Sequence, residues 1–230
     1  MTDRAPIAAD AFRHRFVAGS DPARPPLLLL HGTGGNEDDL LSLGEMLAPG
    51  AALLAPRGQV IEHGMPRFFR RFAEGVFDVE DLERRAHELA DWTPVALAHH
   101  GLAGRRPIAV GFSNGANIAA AILLLRPETL AGAALLRATL PFERRVTDLD
   151  RGADRGADRG ADLAGRPVLI ASGRGDPHVR AADAERLATV LGEAGAIVTR
   201  HWSEGGHALT PGDVAATRDW LARAKGLTPS

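Results

Sequence analysis

Between Pro107 and Leu125 the chain reads Pro-Ile-Ala-Val-Gly-Phe-Ser-Asn-Gly-Ala-Asn-Ile-Ala-Ala-Ala-Ile-Leu-Leu-Leu, with no charged side chain anywhere in the run. Its length raises the question of a membrane span, but Gly111, Ser113, Asn114, Gly115 and Asn117 occupy its middle, where a span would need apolar residues. The content fits a buried strand over Ile108 to Phe112, a tight turn at Ser113, and a buried helix from Asn114 onward. A strand with no polar face belongs inside a mostly parallel sheet covered on both sides.

Working outward, short apolar runs of the same kind recur at Leu27 to Leu30, Ala51 to Ala55, Gly132 to Leu136, Val168 to Ala171 and Ile197 to Trp202. Helical patterns lie between them. Asn36 precedes an acidic first turn and the spaced residues Leu40, Leu43 and Leu47; Asp78 and Asp81 open a second helix, with Val79, Leu82, Ala86 and Leu89 on one face and a stop expected at Pro94. Glu80/Arg84 and Asp81/Arg85 are expected as ion pairs on its solvent side. Val179 to Ala194 forms another apolar stripe, and Thr210-Pro211-Gly212-Asp213 has the spacing of a capping box for a final helix. Alternating strands and helices make the fold class α/β, with a mostly parallel central sheet and helices on both faces.

One domain covering residues 1–230 is expected, since α/β cores commonly use this length. Three consecutive copies of Arg-Gly-Ala-Asp at 151–162 hold nothing larger than alanine that is apolar and read as a flexible surface insertion. Apolar residues make up 45% and charged residues 24%, with a net charge of -2, which gives no basic surface for nucleic acid. The chain has no cysteine, which excludes disulfides, thiolate metal sites and a cysteine nucleophile and suits a reducing compartment. Asp3, Arg4 and Asp10 interrupt the place of a signal peptide, so a cytoplasmic location without a membrane span is expected, and nothing speaks against a homodimer.

Gly111-Phe112-Ser113-Asn114-Gly115 fits G-x-S-x-G in the strand-to-helix context that exposes a nucleophilic serine. The glycines two before and two after Ser113 remove side chains that would crowd the turn. A bland strand-to-helix turn is the alternative. The partners a serine would need follow in the order acid, then histidine, each just past the C-terminal end of an expected strand. Val168 to Ala171 leads into Ser172-Gly173-Arg174-Gly175-Asp176-Pro177, which presents Asp176; helix capping near Val179 is its alternative role. Ile197 to Trp202 leads into Ser203-Glu204-Gly205-Gly206-His207, and His207 has the best position among nine histidines. Backbone N–H groups of Asn114 and Thr33 are the candidate oxyanion donors, Thr33 in the glycine-rich turn His31-Gly32-Thr33-Gly34-Gly35-Asn36. A phosphate cradle there lacks its Gly-Lys-Ser/Thr. His87-Glu88-Leu89-Ala90-Asp91 lacks the second histidine of a zinc helix, so no metal site and no cofactor are expected. A non-catalytic binding protein on the same fold is the rival from another class.

Four motifs, 27–36, 111–117, 173–177 and Gly-Gly-His-Ala-Leu-Thr at 205–210, resemble those of the phospholipase/carboxylesterase group of α/β-hydrolases, which includes acyl-protein thioesterases. A narrower likeness, to bacterial carboxylesterases associated with quinone or hydroquinone stress, runs through Ala-Pro-Arg-Gly at 55–58 and Met-Pro-Arg-Phe-Phe-Arg-Arg at 65–71 with Glu74 to Asp78. The resemblance implies an α/β-hydrolase fold, an ester or thioester of small or medium acyl chain as substrate, and catalytic roles for Ser113, Asp176 and His207. Acyl-protein thioesterase or lysophospholipase activity is the alternative it carries. The Arg-Gly-Ala-Asp repeat departs from the family pattern. Met65 to Phe77 is expected to wall the substrate pocket, with Phe68, Phe69, Phe72 and Arg70 as the candidate substrate-binding residues; core phenylalanines and solvent ion pairs are the other reading of the same residues.

Overall fold

In a computed structural model that describes residues 7–73, 75–142 and 162–224, the apolar runs form a seven-stranded sheet. In chain order the elements are β1 (His14–Val17), β2 (Leu27–Leu30), α1 (Leu41–Leu47), β3 (Leu53–Pro56), β4 (Val60–Glu62), β5 (Met65–Arg67), β6 (Arg71–Ala73) and β7 (Val76–Phe77). They continue with α2 (Val79–His99), β8 (Ile108–Phe112), α3 (Asn114–Leu125), β9 (Gly132–Leu136), β10 (Pro167–Gly173), α4 (Ala181–Glu193), β11 (Ile197–Ser203) and α5 (Pro211–Ala224). The sheet order is β1-β3-β2-β8-β9-β10-β11, with only β1 antiparallel to its neighbour. Residues 151–161 of the Arg-Gly-Ala-Asp repeat lie outside the described residues.

The two-residue alternation of strands splits the core into two layers. Leu28, Leu30, Leu54 and Ala109 point to one face and pack with residues of α2, α3 and α4; Leu27, Leu29, Leu53, Ile108 and Val110 point to the other and pack with α1 and α5. All four residues of β2 are buried, which is why that strand shows no polar alternation.

Several features depart from the expected elements: β4 to β7 lie where no strand is expected, and the helix expected to open after Asn36 begins only at Leu41. β1 pairs with β3 from His14↔Pro56 to Val17↔Leu53 and forms the sheet's edge; its half-exposed residues carry too little apolar content to announce a strand. α2 does not stop at Pro94 but runs through it to His99. Pro94 cannot donate to the Ala90 carbonyl, yet Trp92, Ala96 and Leu97 are fully buried on either side of it, and that packing outweighs the lost bond. Along the solvent side, Asp81 is itself buried and pairs with Arg84 and, at 3.7 Å, Arg85; Arg84 reaches forward to Glu88 at 2.8 Å. At α5 the expected capping box is formed: the Asp213 amide donates to Thr210 Oγ1 at 3.2 Å, and the Thr210 amide donates to Asp213 Oδ2 at 2.8 Å.

Candidate active site

Ser113 follows β8 directly and precedes the first residue of α3, with φ 53° and ψ −113°. A serine held at positive φ is strained, and the surrounding contacts fix it there. Its amide donates to the Leu136 carbonyl at 2.9 Å, and its carbonyl accepts from Asn117 at 3.0 Å. The flanking glycines let helix and strand approach: a methyl group at Gly115 would lie 2.0 Å from the Leu30 carbonyl oxygen, and one at Gly111 2.5 Å from the Gly115 oxygen. No side chain fits either position, so the turn demands glycine at both.

The structure brings Ser113, His207 and Asp176 into one hydrogen-bonded line, each just beyond the C-terminal end of its strand. Ser113 Oγ and His207 Nε2 are 2.9 Å apart, and His207 Nδ1 and Asp176 Oδ2 2.8 Å. An ionised carboxylate only accepts, so Nδ1 carries the proton and the Nε2 lone pair faces the serine hydroxyl. The Asp176 side chain is fully buried, while that of His207 keeps a quarter of its surface exposed. Asp176 Oδ1 accepts from the amides of His178 at 2.8 Å and Val179 at 3.2 Å. The carboxylate therefore closes its own turn and holds the imidazole, but it does not cap the helix, since α4 begins only at Ala181 with Arg180 before it and no side-chain cap.

The acid and histidine loops are stitched together through the backbone. Arg174 N donates to the Ser203 carbonyl at 2.8 Å and Gly175 N to the Gly205 carbonyl at 3.1 Å, while a methyl group at Gly173 would meet the Gly205 oxygen at 2.4 Å. Thr33 and Asn114 both line the cleft above Ser113. Asn114 begins α3, and the amide there has no carbonyl acceptor within its own helix. Its side chain points the other way, Oδ1 accepting from the Phe68 amide at 2.7 Å. Thr33 Oγ1 accepts from Arg67 Nη1 at 2.8 Å. Beneath this loop His31 is buried; Nδ1 meets the Gly32 carbonyl at 2.6 Å and Nε2 accepts from the Gly58 amide at 2.9 Å, and burial pushes the imidazole pKa down.

The expected pocket residues are not the ones found at the cleft. Phe68 and Phe69 are buried in the core, against the rings of His31 and Phe77 respectively; Phe72 is 76% exposed. Arg70 Nη2 pairs with Asp78 Oδ2 at 2.9 Å, on the outside. The segment does wall the cleft, but through Met65, Arg67, Arg71, Gly75 and Phe77. β5 explains the swap: Met65 and Arg67 share one face of a strand, and the chain then turns Phe68 and Phe69 inward.

One residue close to the site escaped the sequence reading. Arg137, fully buried at the end of β9 with φ 61°, donates from Nε to the Gly206 carbonyl at 3.0 Å and from Nη2 to the Ala208 carbonyl at 3.0 Å, the two residues flanking His207. Nη2 also donates to Asp213 Oδ2 at 2.6 Å and Nη1 to the Ala171 carbonyl at 3.2 Å. The available signal was a lone arginine directly after the apolar run Gly132 to Leu136, at the same sheet end as Ser113 and Asp176. Burial pushes the Asp213 carboxyl up, but hydrogen bonds from Arg137 and Thr210 more than reverse it, leaving a pKa of about 2.

No family model matches the chain. Among curated proteins, it is 45% identical over 198 residues to "Putative hydrolase MhqD" of Bacillus subtilis (strain 168), an overlap that covers 86% of this chain and 92% of that one. The Bacillus cereus carboxylesterase structure is 44% identical, with a TM-score of 0.84 and coverage of 93% and 94%. The chain belongs to the bacterial carboxylesterase group of the phospholipase/carboxylesterase family of α/β-hydrolases. A carboxylesterase structure from Mesorhizobium loti, 31% identical with a TM-score of 0.80 over 96% of this chain and 97% of that one, agrees. This α/β-hydrolase is thus a carboxylesterase-like enzyme, and ester hydrolysis is the reaction to which its geometry must answer. No helix among its described residues is long and apolar enough to cross a membrane.

Proposed function

We propose that the enzyme cleaves carboxylic esters of small or medium acyl chain through an acyl-enzyme on Ser113, with His207 as general base and Asp176 as its orienting carboxylate. The observation that carries this reading is the continuous hydrogen-bonded line from Ser113 Oγ through His207 to the buried Asp176, at 2.9 and 2.8 Å, opening on a cleft of about 350 Å³. His207 Nε2 takes the serine proton as Oγ attacks the ester carbonyl; the imidazolium that forms faces Asp176. The amides of Thr33 and Asn114 receive the oxyanion, each such donor being worth roughly 10²–10³ in rate. His207 then returns the proton to the leaving alcohol. In the second half it deprotonates a water that attacks the acyl carbon, and the acid leaves with Ser113 restored.

A fluorophosphonate probe tests the assignment. Wild type is expected to be labelled and Ser113→Ala to resist labelling while losing more than about 10³-fold in ester turnover. Labelling of the variant at the wild-type rate, or its full activity, would sink the serine reading. A p-nitrophenyl ester series of increasing acyl length, run beside thioesters, is expected to peak at short to medium oxygen esters.

A further inference from the structure

The chemical character of the cleft goes beyond a generic ester pocket. Its apolar wall is supplied by Met65, Phe77, Phe112 and Val179, whereas two guanidinium groups, Arg67 and Arg71, come to it from the segment that crosses above Ser113. No aspartate or glutamate is among the described residues that line it. Arg67 is only 3% exposed; Nη1 is held on Thr33 Oγ1, which places a fixed positive charge beside the loop proposed to receive the oxyanion, and Nε donates to the Phe69 carbonyl at 3.2 Å. Arg71 keeps a quarter of its side chain exposed and donates from Nε to Glu62 Oε2 at 3.2 Å; the same oxygen is 3.5 Å from Arg67 Nε. Glu62 thus stands behind both arginines and outside the cleft.

Guanidinium groups at a substrate cleft carry a desolvation cost that a planar anion offsets better than water or an alkyl chain does, because carboxylate and guanidinium match in a fork of two N–H···O bonds. Resting on the serine-esterase reading above, we infer that the substrate is an ester bearing a free carboxylate, a half-ester of a dicarboxylic acid, with the carboxylate bound at Arg71 and Arg67. The two arginines fix the far end of the acid while Ser113 addresses the ester carbonyl. The apolar residues accept the methylenes between and the alcohol group. The same positive potential draws anionic esters into the cleft and adds to the binding of a transition state whose charge develops beside Thr33.

The test measures kcat/KM by pH-stat for the monoethyl esters of succinic, glutaric and adipic acids against neutral ethyl esters of matched length, with wild type, Arg71→Gln and Arg218→Gln. Arg218 lies on α5, is more than half exposed, and pairs with Asp219, so its loss removes one surface charge away from the cleft. Wild type is expected to favour the best half-ester over its neutral partner by about tenfold or more, the order of one charge-assisted hydrogen bond. Arg71→Gln is expected to bring that ratio to within about threefold of unity, while Arg218→Gln keeps the wild-type ratio. The wild-type ratio alone decides even if Arg71→Gln fails to fold. Equal or better turnover of neutral esters by an enzyme that fluorophosphonate labels overturns the anionic substrate while leaving the serine mechanism in place; an unchanged ratio in Arg71→Gln overturns the carboxylate site at Arg71. A wild type that the probe does not label overturns both.

Discussion

At the scale of single residues, the most consequential side chain beyond the proposed triad is Arg137. An imidazole can take a proton from Ser113 only if the loop carrying it is fixed to a fraction of an ångström, and the His207 loop begins with two glycines, which leave it conformationally loose. Arg137 fixes it from below by holding the carbonyls on either side of His207 while its charge is balanced by Asp213. Lysine in its place would keep the charge near Asp213 but lose the planar fork that reaches several acceptors at once. Arg137→Lys is therefore expected to lower kcat by roughly ten- to a hundredfold at little change in KM, since misplacement of about 1 Å costs on that order. Steady-state kinetics on the best ethyl ester checks it, and a rise in KM at constant kcat would assign Arg137 to binding instead. Ser113, Asp176 and His207 were legible because glycine-rich turns at strand ends follow one another in a set order. Arg137 was not, because its meaning depends on Asp213, 76 positions away, and on loops that only the sheet brings together.

Among the elements, the buried parallel strands were readable because a strand covered on both faces must be apolar at every position, as β2 and β8 are. The pieces that were not readable lack that constraint. β4 to β7 are strands of two or three residues whose side chains divide between core, cleft and solvent, so the phenylalanines of Met65 to Phe77 gave the right region and the wrong contacts. α2 is the opposite case, where packing overrides a local stop signal. A proline inside a helix costs about 3 kcal/mol, and Ala96 and Leu97 beyond it, both fully buried, help offset that cost with the backbone bonds of the last turn. The Thr93 hydroxyl meanwhile donates to the Leu89 carbonyl at 2.7 Å, a local bond of the kind that accompanies bent helices. Because Pro94 itself is exposed, replacing it removes little packing. Pro94→Ala restores the amide donor to Ala90 and removes the ring clash, while loosening the unfolded chain by roughly 0.4–1 kcal/mol. The net expectation is a stabilisation of about 1–2 kcal/mol, read as a higher urea midpoint at unchanged slope. A lower midpoint would mean that the proline ring is part of the packing.

Over the whole molecule, the same convergence of strand ends that builds the cleft gathers ionisable groups whose protonation is tied to the fold. His31 is buried with its Nε2 accepting from Gly58, an arrangement open only to the neutral ring, and its pKa is pushed below the ordinary value near 6.5. Asp213 is held as a carboxylate, with its pKa drawn from 3.8 to about 2. Both folded-state values are depressed, so between the unfolded and the folded pKa the unfolded chain binds more protons than the native one, and stability falls as pH falls. For His31 the contribution is complete above the unfolded value and is lost as pH drops from about 6.5 toward its lowered pKa. For Asp213 the loss follows between pH 3.8 and about 2 and amounts to something on the order of 2 kcal/mol. Urea unfolding followed from pH 7.5 down to pH 5 is expected to show declining stability in wild type. His31→Gln, which can still accept from Gly58 without titrating, is expected to flatten that decline whatever its absolute stability. An equally steep decline in the variant would place the acid sensitivity on groups other than His31.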